Sequence, residues 1–206
     1  MTVGSISRPV GLVAALLLSA LIAGAATTFF AREPAPPQVM TAGAFDPPHA
    51  APEFSLRGSD GSEVTLSRYR GKIVLLTFGF THCAAVCPTT LATLAQTRSS
   101  LGEAADSVQV IFVTVDPERD SAAHMQQYLA AFDSSFIGAT GTPEVLAQVQ
   151  EDYGVTATRQ GRGPDYAMAH TSSIFLIDGA GKLRALMPFG QEARDFVRDI
   201  EFLLRP

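Results

Sequence analysis

The sequence has few of the residues that build cross-linked or nucleic-acid-binding proteins. Its 206 residues include only two cysteines and no tryptophan, and 15 Lys and Arg stand against 20 Asp and Glu. Two cysteines cannot form the disulfide framework of a small exported scaffold, which favours a chemical role for them. The basic residues form no block and no aromatic-rich basic patch. The composition therefore argues against a nucleic-acid partner.

Charge is also missing from a long stretch near the N-terminus. Arg8 and Arg32 are separated by residues without a charged side chain, a length sufficient to cross a hydrocarbon core. Because an arginine precedes the stretch, we expect residues 1–9 to be a cytoplasmic tip and residues 10–31 a transmembrane anchor. A cleaved signal peptide is the alternative, since small residues around Gly24 would suit cleavage. The expected location is a bacterial inner membrane, crossed once, with the soluble domain in the periplasm.

Prolines are concentrated directly after this apolar stretch. Residues 32–50 contain five of them among small residues, which is typical of an extended linker. We therefore expect one folded domain over residues 51–206, a usual size for a single domain. Apolar alternation around Gly58-Ser59-Asp60-Gly61 predicts a β-hairpin at the start of this domain.

The rest of the domain alternates between strand and helix patterns. Short β-prone runs at 73–78 and 108–115 predict buried strands. Helices are expected from Pro88, from Asp116-Pro117 and from Thr142-Pro143, because each start resembles an N-terminal cap or first turn. A second hairpin over 172–187 and an amphipathic helix over 191–204 complete the pattern. This order predicts an α/β fold with a central sheet and flanking helices.

Both cysteines lie where the first buried strand meets the first helix. Cys83 and Cys87 are separated by three residues, and Pro88 follows at the expected helix start. A helix N-terminus stabilises a thiolate, which is both a nucleophile and a metal ligand. If residues 83–87 are helical, both sulfur atoms lie on one face, close enough for a disulfide or for a soft metal ion. The spacing alone does not choose between a redox pair and a metal site.

Three motifs together resemble the SCO/SenC family. They are Cys-x-x-x-Cys-Pro at 83–88, Val-Asp-Pro at 115–117, and Tyr-x-x-x-His ending at His170. The family consists of thioredoxin-fold copper proteins that help to assemble the dinuclear copper centre of cytochrome c oxidase. The resemblance covers residues 50 to 204. It implies a thioredoxin-like domain that binds copper, Cu(I) or Cu(II), through Cys83, Cys87 and His170.

The resemblance also implies partners and leaves alternatives. It implies a copper metallochaperone whose acceptor is subunit II of cytochrome c oxidase, with other copper chaperones as further partners. Ala84-Ala85 stands where family members often have Pro-Asp, and Ala169 stands where they often have an acidic residue, so a less polar surrounding of the metal is expected. A periplasmic thiol–disulfide oxidoreductase, or a copper or redox sensor, remains open. The oxidoreductase is disfavoured because no proline precedes the strand after His170, where thioredoxins place one.

Four other residues receive structural interpretations. His82 is expected to point away from Cys83, since neighbouring residues at a strand end face opposite directions. His124 is expected on the surface of a helix, Met168 in apolar packing, and Asp116 as a helix cap.

Overall fold

The computed structural model describes residues 40–205, and the predicted tip, anchor and first part of the linker lie outside this range. Within it, eight strands form one sheet in the order β1-β10-β9-β4-β5-β6-β2-β3, and β7 and β8 form a separate two-stranded sheet. The strands are β1 Gly43–Ala50, β2 Ser55–Gly58, β3 Glu63–Thr65, β4 Ile73–Gly79, β5 Val108–Thr114, β6 Ile137–Thr140, β7 Ala157–Gln160, β8 Ala167–His170, β9 Ile174–Ile177 and β10 Lys182–Met187. The helices are α1 Val86–Leu101, α2 Ala122–Ala130, α3 Pro143–Asp152 and α4 Ala193–Leu204.

The two strands at the centre of the sheet are the predicted apolar runs. Every residue of β4 and β5 is buried. A strand that is covered on both faces needs apolar residues at consecutive positions, which explains why these runs do not alternate. The two strands are parallel, with Gly79 opposite Thr114 at their carboxyl ends. The loops that follow them therefore leave the sheet side by side.

The remaining strands and helices confirm the mixed α/β prediction. β2 and β3 form the first predicted hairpin, and β9 and β10 form the second. α3 begins at the predicted proline, with the Thr142 hydroxyl accepting from the Val145 N–H. α4 buries Phe196 and Ile200, as its amphipathic pattern predicts.

The first strand corrects the predicted end of the linker. Residues 43–50, expected to be an extended tether, form β1 and pair with β10 at the edge of the sheet. The pairing is irregular between Ala44 and His49, where the prolines lie. Proline is compatible with an edge strand because the missing N–H need not face a neighbouring strand. The buried Asp199 carboxylate also accepts hydrogen bonds from the N–H groups of Thr41 and Ala42, at 2.7 and 2.9 Å. The folded domain therefore begins before residue 51.

The predicted start of the next helix, at Asp116, also needs correction. The chain makes a turn after Asp116, whose carbonyl accepts from the N–H groups of Arg119 and Asp120. The helix itself, α2, starts later, and the Ser121 hydroxyl caps it by accepting from the His124 N–H at 3.2 Å. Serine is as good a cap as aspartate, which explains why the helix can start at this later position. The Asp116 carboxylate has other partners, described below.

The described part of the chain contains no helix with the length and apolar character that a membrane crossing requires.

Candidate metal centre

A tight turn between β4 and α1 carries both cysteines. The helix α1 begins at Val86, next to the second cysteine, so residues 83–87 do not have the helical geometry that would place both sulfur atoms on one helix face. Cys83 lies in the turn, with its N–H donating to the Phe80 carbonyl at 3.2 Å. Cys87 is the second residue of the helix, and Pro88 is the third, still within the first turn where an N–H is not needed. The turn, and not a helical face, brings the cysteines together.

The sulfur of Cys83 caps the helix. Ala85, at the N-cap position, makes no side-chain hydrogen bond, and the Cys87 N–H donates instead to Cys83 Sγ at 3.4 Å. Partial burial opposes ionisation, but amide N–H groups of Cys87, Ala85 and Val86 and the Cys87 thiol together lower the pKa of Cys83. The first N–H groups of a helix lack intrahelical partners, so they are free to stabilise a thiolate. Cys83 is therefore the more reactive cysteine.

Cys87 has the opposite character. It is 4% exposed, and burial raises the pKa of Cys87 to about 12. Gly79, the last residue of β4, leaves room for its sulfur: a Cβ at Gly79 would lie 3.0 Å from Cys87 Sγ and 2.6 Å from the Phe112 ring. Contacts this short would force the sulfur or the ring to move. Gly79 thus fixes the sulfur position, a role the sequence analysis did not identify.

The difference in pKa and exposure between the two cysteines predicts that an alkylating reagent modifies one of them selectively. Limiting iodoacetamide at pH 7 is expected to modify Cys83 about tenfold faster than Cys87, because only Cys83 combines exposure with a lowered pKa. Peptide mass spectrometry of the reduced protein measures the two rates. The control is the protein in urea, where both cysteines should react alike. Equal rates in the folded protein would contradict the asymmetry.

His170 reaches the cysteines from the last residue of β8. Its Nε2 lies 3.7 Å from Cys87 Sγ, and its Nδ1 lies 2.8 Å from the Thr171 carbonyl oxygen. Since a carbonyl only accepts, Nδ1 carries the proton and Nε2 keeps its lone pair toward the sulfur. A metal-binding histidine is typically oriented by such a bond on its other nitrogen. The imidazole of His170 is therefore oriented with Nε2 available to bind a metal ion.

Hydroxyl groups surround the space between Cys87 and His170. Thr77, Thr90 and Ser172 line a small cavity beside them. The sequence predicted a less polar surrounding because of its alanines, and these threonine and serine side chains were not identified, since they come from three separate elements.

The three predicted ligands are neighbours without forming a closed metal cage. Cys87 adjoins both Cys83 and His170, but the three ligand atoms do not all lie within 4.8 Å of one another. Cys83 Sγ is held toward the helix N–H groups instead. A three-ligand site would therefore require Cys83 Sγ and the His170 imidazole to come closer together than they lie here.

A buried hydrogen-bond network fixes the hairpin that carries His170. The Tyr166 hydroxyl donates to Asp116 Oδ1 at 2.5 Å, and Arg119 Nε donates to Asp116 Oδ2 at 2.5 Å. Arg119 also donates to the Tyr166 carbonyl at 3.0 Å. Burial and the bond to Asp116 raise the pKa of Tyr166 to about 12, which keeps its hydroxyl a donor. The interpretation of Asp116 as a helix cap is wrong: it links the loop after β5 to the segment before β8.

Aromatic packing connects this network to the site. The Tyr166 ring lies between two guanidinium groups, at 3.7 Å from Arg119 and 3.6 Å from Arg159. Arg119 also lies over the Phe80 ring at 5.8 Å, and Phe80 meets the His170 ring edge to face at 5.9 Å. Cation–π contacts of this kind favour a single arrangement of rings and charges. Displacing Asp116 should therefore loosen His170.

The other singled-out residues have surroundings of their own. His82 faces Asp120 and His124, as the expected alternation from Cys83 implies, and His124 is exposed on α2, as predicted. Met168 is partly buried against the core, also as predicted.

Comparison with known sequences identifies relatives of the whole described domain. The SCO1/SenC family model matches residues 43–205. The mouse (Mus musculus) protein "Protein SCO2 homolog, mitochondrial" is 34% identical over 152 residues, which cover 72% of this chain and 60% of the mouse protein. The chain thus spans three fifths of the length of that curated relative.

Solved structures share the fold. The solution structure of apo Sco1 from Thermus thermophilus has a TM-score of 0.74 and 37% identity, covering 82% of this chain and 99% of that one. The structure of Bradyrhizobium japonicum ScoI with copper bound has a TM-score of 0.70 and 35% identity, covering 75% of this chain and 99% of that one. These similarities confirm the predicted thioredoxin-like fold.

Proposed function

Because this chain belongs to the SCO1/SenC family, we propose that it is a copper chaperone of cytochrome c oxidase assembly that carries copper on Cys83, Cys87 and His170. The observation that carries the proposal is the approach of His170 Nε2 to Cys87 Sγ at 3.7 Å, with Nδ1 occupied by the Thr171 carbonyl. An imidazole held in this tautomer beside a thiol is arranged to share a metal ion with it.

The donor set suits copper as cargo. Two thiolates and one imidazole favour Cu(I), and the imidazole also accepts Cu(II) when a further oxygen ligand is present. The high pKa of Cys87 means that copper must displace a proton from this thiol. Cys83, already inclined to the thiolate, is the natural first contact for an incoming ion. The B. japonicum relative was solved with copper bound, which supports the same cargo here.

The partly exposed sulfur of Cys83 supports copper transfer. Release by ligand exchange needs one ligand that an acceptor can reach, while the buried Cys87 and the hairpin-held His170 keep the ion in place. We take the acceptor to be subunit II of cytochrome c oxidase, with other copper chaperones as suppliers of the ion.

The proposed function is tested by comparing the copper affinity of the reduced protein with that of its disulfide form. The reduced protein is expected to bind one equivalent of Cu(I), and the Cys83–Cys87 disulfide form is expected to bind about tenfold more weakly or worse, because oxidised sulfur has lost the thiolate charge. Anaerobic competition with a Cu(I) chelator measures both affinities.

Protection from alkylation serves as the control for this titration. Bound copper should shield both cysteines in the reduced protein, whereas the H49A variant, altered at an exposed histidine of β1, should behave as the wild type. Equal copper affinity of the oxidised and reduced proteins would refute the proposed site.

A thiol–disulfide oxidoreductase is the second candidate. An exposed cysteine with a lowered pKa beside a buried one is the arrangement of an attacking and a resolving thiol. In this reaction the Cys83 thiolate would attack one sulfur of an acceptor disulfide, breaking the S–S bond and releasing the other acceptor sulfur as a thiolate. Cys87, on losing its proton, would then attack Cys83 Sγ in the mixed disulfide and release the second acceptor thiolate, leaving the Cys83–Cys87 disulfide. The chain thereby gives two electrons to its acceptor.

The proposed location is the periplasmic face of an inner membrane, on the basis of the uncharged stretch between Arg8 and Arg32. Mass spectrometry of the protein extracted from membranes is expected to show residues 10–31 retained. A soluble mature protein beginning near Ala26 would show that the stretch is a cleaved signal.

A further inference from the structure

A second group of metal-binding side chains lies beside the cysteine turn. One ligand atom each from His82, Asp120 and His124 lies within 4.8 Å of the other two, and this is the sole such triad in residues 40–205. His82 comes from the turn after β4, Asp120 from the loop after β5, and His124 from the first turn of α2. The parallel strands β4 and β5 deliver their loops to one edge of the sheet, which joins residues 42 positions apart.

Asp120 is the fixed member of the triad. It is 0% exposed and accepts hydrogen bonds from the Thr81 hydroxyl at 2.5 Å, the Thr114 hydroxyl at 2.7 Å and the Thr81 N–H at 3.1 Å. A carboxylate offers about four lone-pair positions, so these three donors leave room for one more partner. Thr81 and Thr114 therefore orient the carboxylate as the surrounding residues of a metal site do.

The charge of Asp120 makes no ion pair with a Lys or Arg within 4 Å in the described residues, and Arg119 attracts it only from a longer distance. Among the described residues, the one basic group within 4 Å of its oxygens is His82 Nδ1, at 3.9 Å. Arg119, its neighbour in sequence, donates its Nε to Asp116 instead. A buried charge is costly unless it is paired or bound to a metal. The neutral donors orient this carboxylate but do not balance its charge.

The two histidines lie on the solvent side of the buried Asp120. Both are exposed, and their ring centroids are 5.7 Å apart at an angle of 38°. A tetrahedral ion with bonds of about 2.1 Å holds its ligand atoms about 3.4 Å apart. Side-chain rotation of the two imidazoles would bring the present spacing to this value, while Asp120 stays in place.

We propose that His82, Asp120 and His124 form a second metal site, distinct from the Cys83–Cys87–His170 centre, for a divalent cation of the Zn(II) or Cu(II) kind. Two imidazoles and one carboxylate suit these borderline cations and offer no sulfur for Cu(I). Cu(II) should bind more tightly than Zn(II), in accordance with the general order of divalent affinities. Because His82 and Cys83 are consecutive, the two sites share one turn and differ in the oxidation state of copper that they prefer.

The full-length chain in detergent, with both cysteines changed to serine, tests the site without thiolates. Titration with Zn(II) alone is expected to show one bound equivalent, and Cu(II) is expected to give an electron paramagnetic resonance signal with nitrogen couplings from two imidazoles. Adding H124A should weaken Zn(II) binding about tenfold or more, since one of three ligands is lost. Adding H49A, which alters another exposed histidine, should change nothing.

H124A in the otherwise wild-type chain separates this proposal from the proposed function. It should keep the wild-type affinity for Cu(I), because His124 takes no part in the cysteine centre. Zn(II) affinity unchanged by H124A, or no Zn(II) binding by the cysteine-free chain, would overturn the second site and leave the copper chaperone intact. Circular dichroism of H124A, an exposed substitution, verifies that the fold persists.

Discussion

Replacing His170 with alanine is expected to weaken Cu(I) binding by about tenfold or more while leaving the cysteine pair able to form its disulfide. The imidazole supplies one of three strong donors, and its Nε2 is the atom that faces Cys87 Sγ at 3.7 Å. The disulfide needs no imidazole, so its reduction potential should shift only slightly. Chelator competition measures the copper affinity, and a glutathione redox titration measures the dithiol–disulfide equilibrium.

The C87S variant is expected to abolish both Cu(I) binding and formation of the disulfide. A lone thiolate at Cys83 cannot form the intramolecular disulfide, and a hydroxyl is a poor ligand for Cu(I). If H170A binds Cu(I) like the wild type and yet fails to support oxidase assembly, the imidazole does not hold the metal. The oxidoreductase function would then be the better explanation of the site.

Replacing Asp116 with alanine is expected to lower the free energy of unfolding by about 3 kcal/mol, because it leaves the charge of Arg119 without its buried partner. The Tyr166 hydroxyl also loses its acceptor at 2.5 Å. Phe80 packs against both Arg119 and His170, so a displaced Arg119 should disturb His170. Cu(I) affinity should therefore fall about tenfold as well. Urea denaturation and chelator competition measure the two effects.

E118A is the matched control for this variant. Glu118 pairs with Arg159 at 3.3 Å on the exposed surface and meets the Tyr166 hydroxyl only at the long distance of 3.4 Å, so its loss should cost less than about 1 kcal/mol and leave copper affinity unchanged. Y166F, which removes one hydrogen bond and keeps the ring, should be intermediate, near 1–2 kcal/mol. An Asp116 variant as stable as E118A would show that the network does not hold the hairpin.

Local patterns predicted the parts of the fold that local interactions decide. β4 and β5 were identified because a strand buried on both faces must be apolar throughout, and α3 because Thr142 and Pro143 specify a helix start. The cysteines were placed at a strand-to-helix junction for the same reason. The predicted ligands lie next to one another, although a turn brings the two cysteines together and not a shared helix face.

The parts that sequence reasoning missed depend on contacts between distant segments. Asp116 has the local environment of a helix cap, but its carboxylate accepts hydrogen bonds from Arg119 and from Tyr166, which comes 50 residues later. His82 and His124 are joined by the register of β4 and β5. The proline-containing residues 43–50 have a linker composition, and β10 makes them a strand by offering an open edge. A search for His and Asp in the segments that follow predicted parallel strands finds His82 and Asp120, but His124 lies further on, in the next helix.

The irregular, proline-containing strand β1 has a consequence for how the molecule behaves at high local concentration. An open sheet edge is a template for pairing with another chain and hence for aggregation. Here one edge is closed by a strand in which Pro47 and Pro48 have no N–H to donate, and the other edge ends in β3, only three residues long. Neither edge offers a long, regular row of donors and acceptors to a second copy. Molecules at high local concentration therefore keep their sheets separate, and the cysteine turn remains available to partners of a different kind.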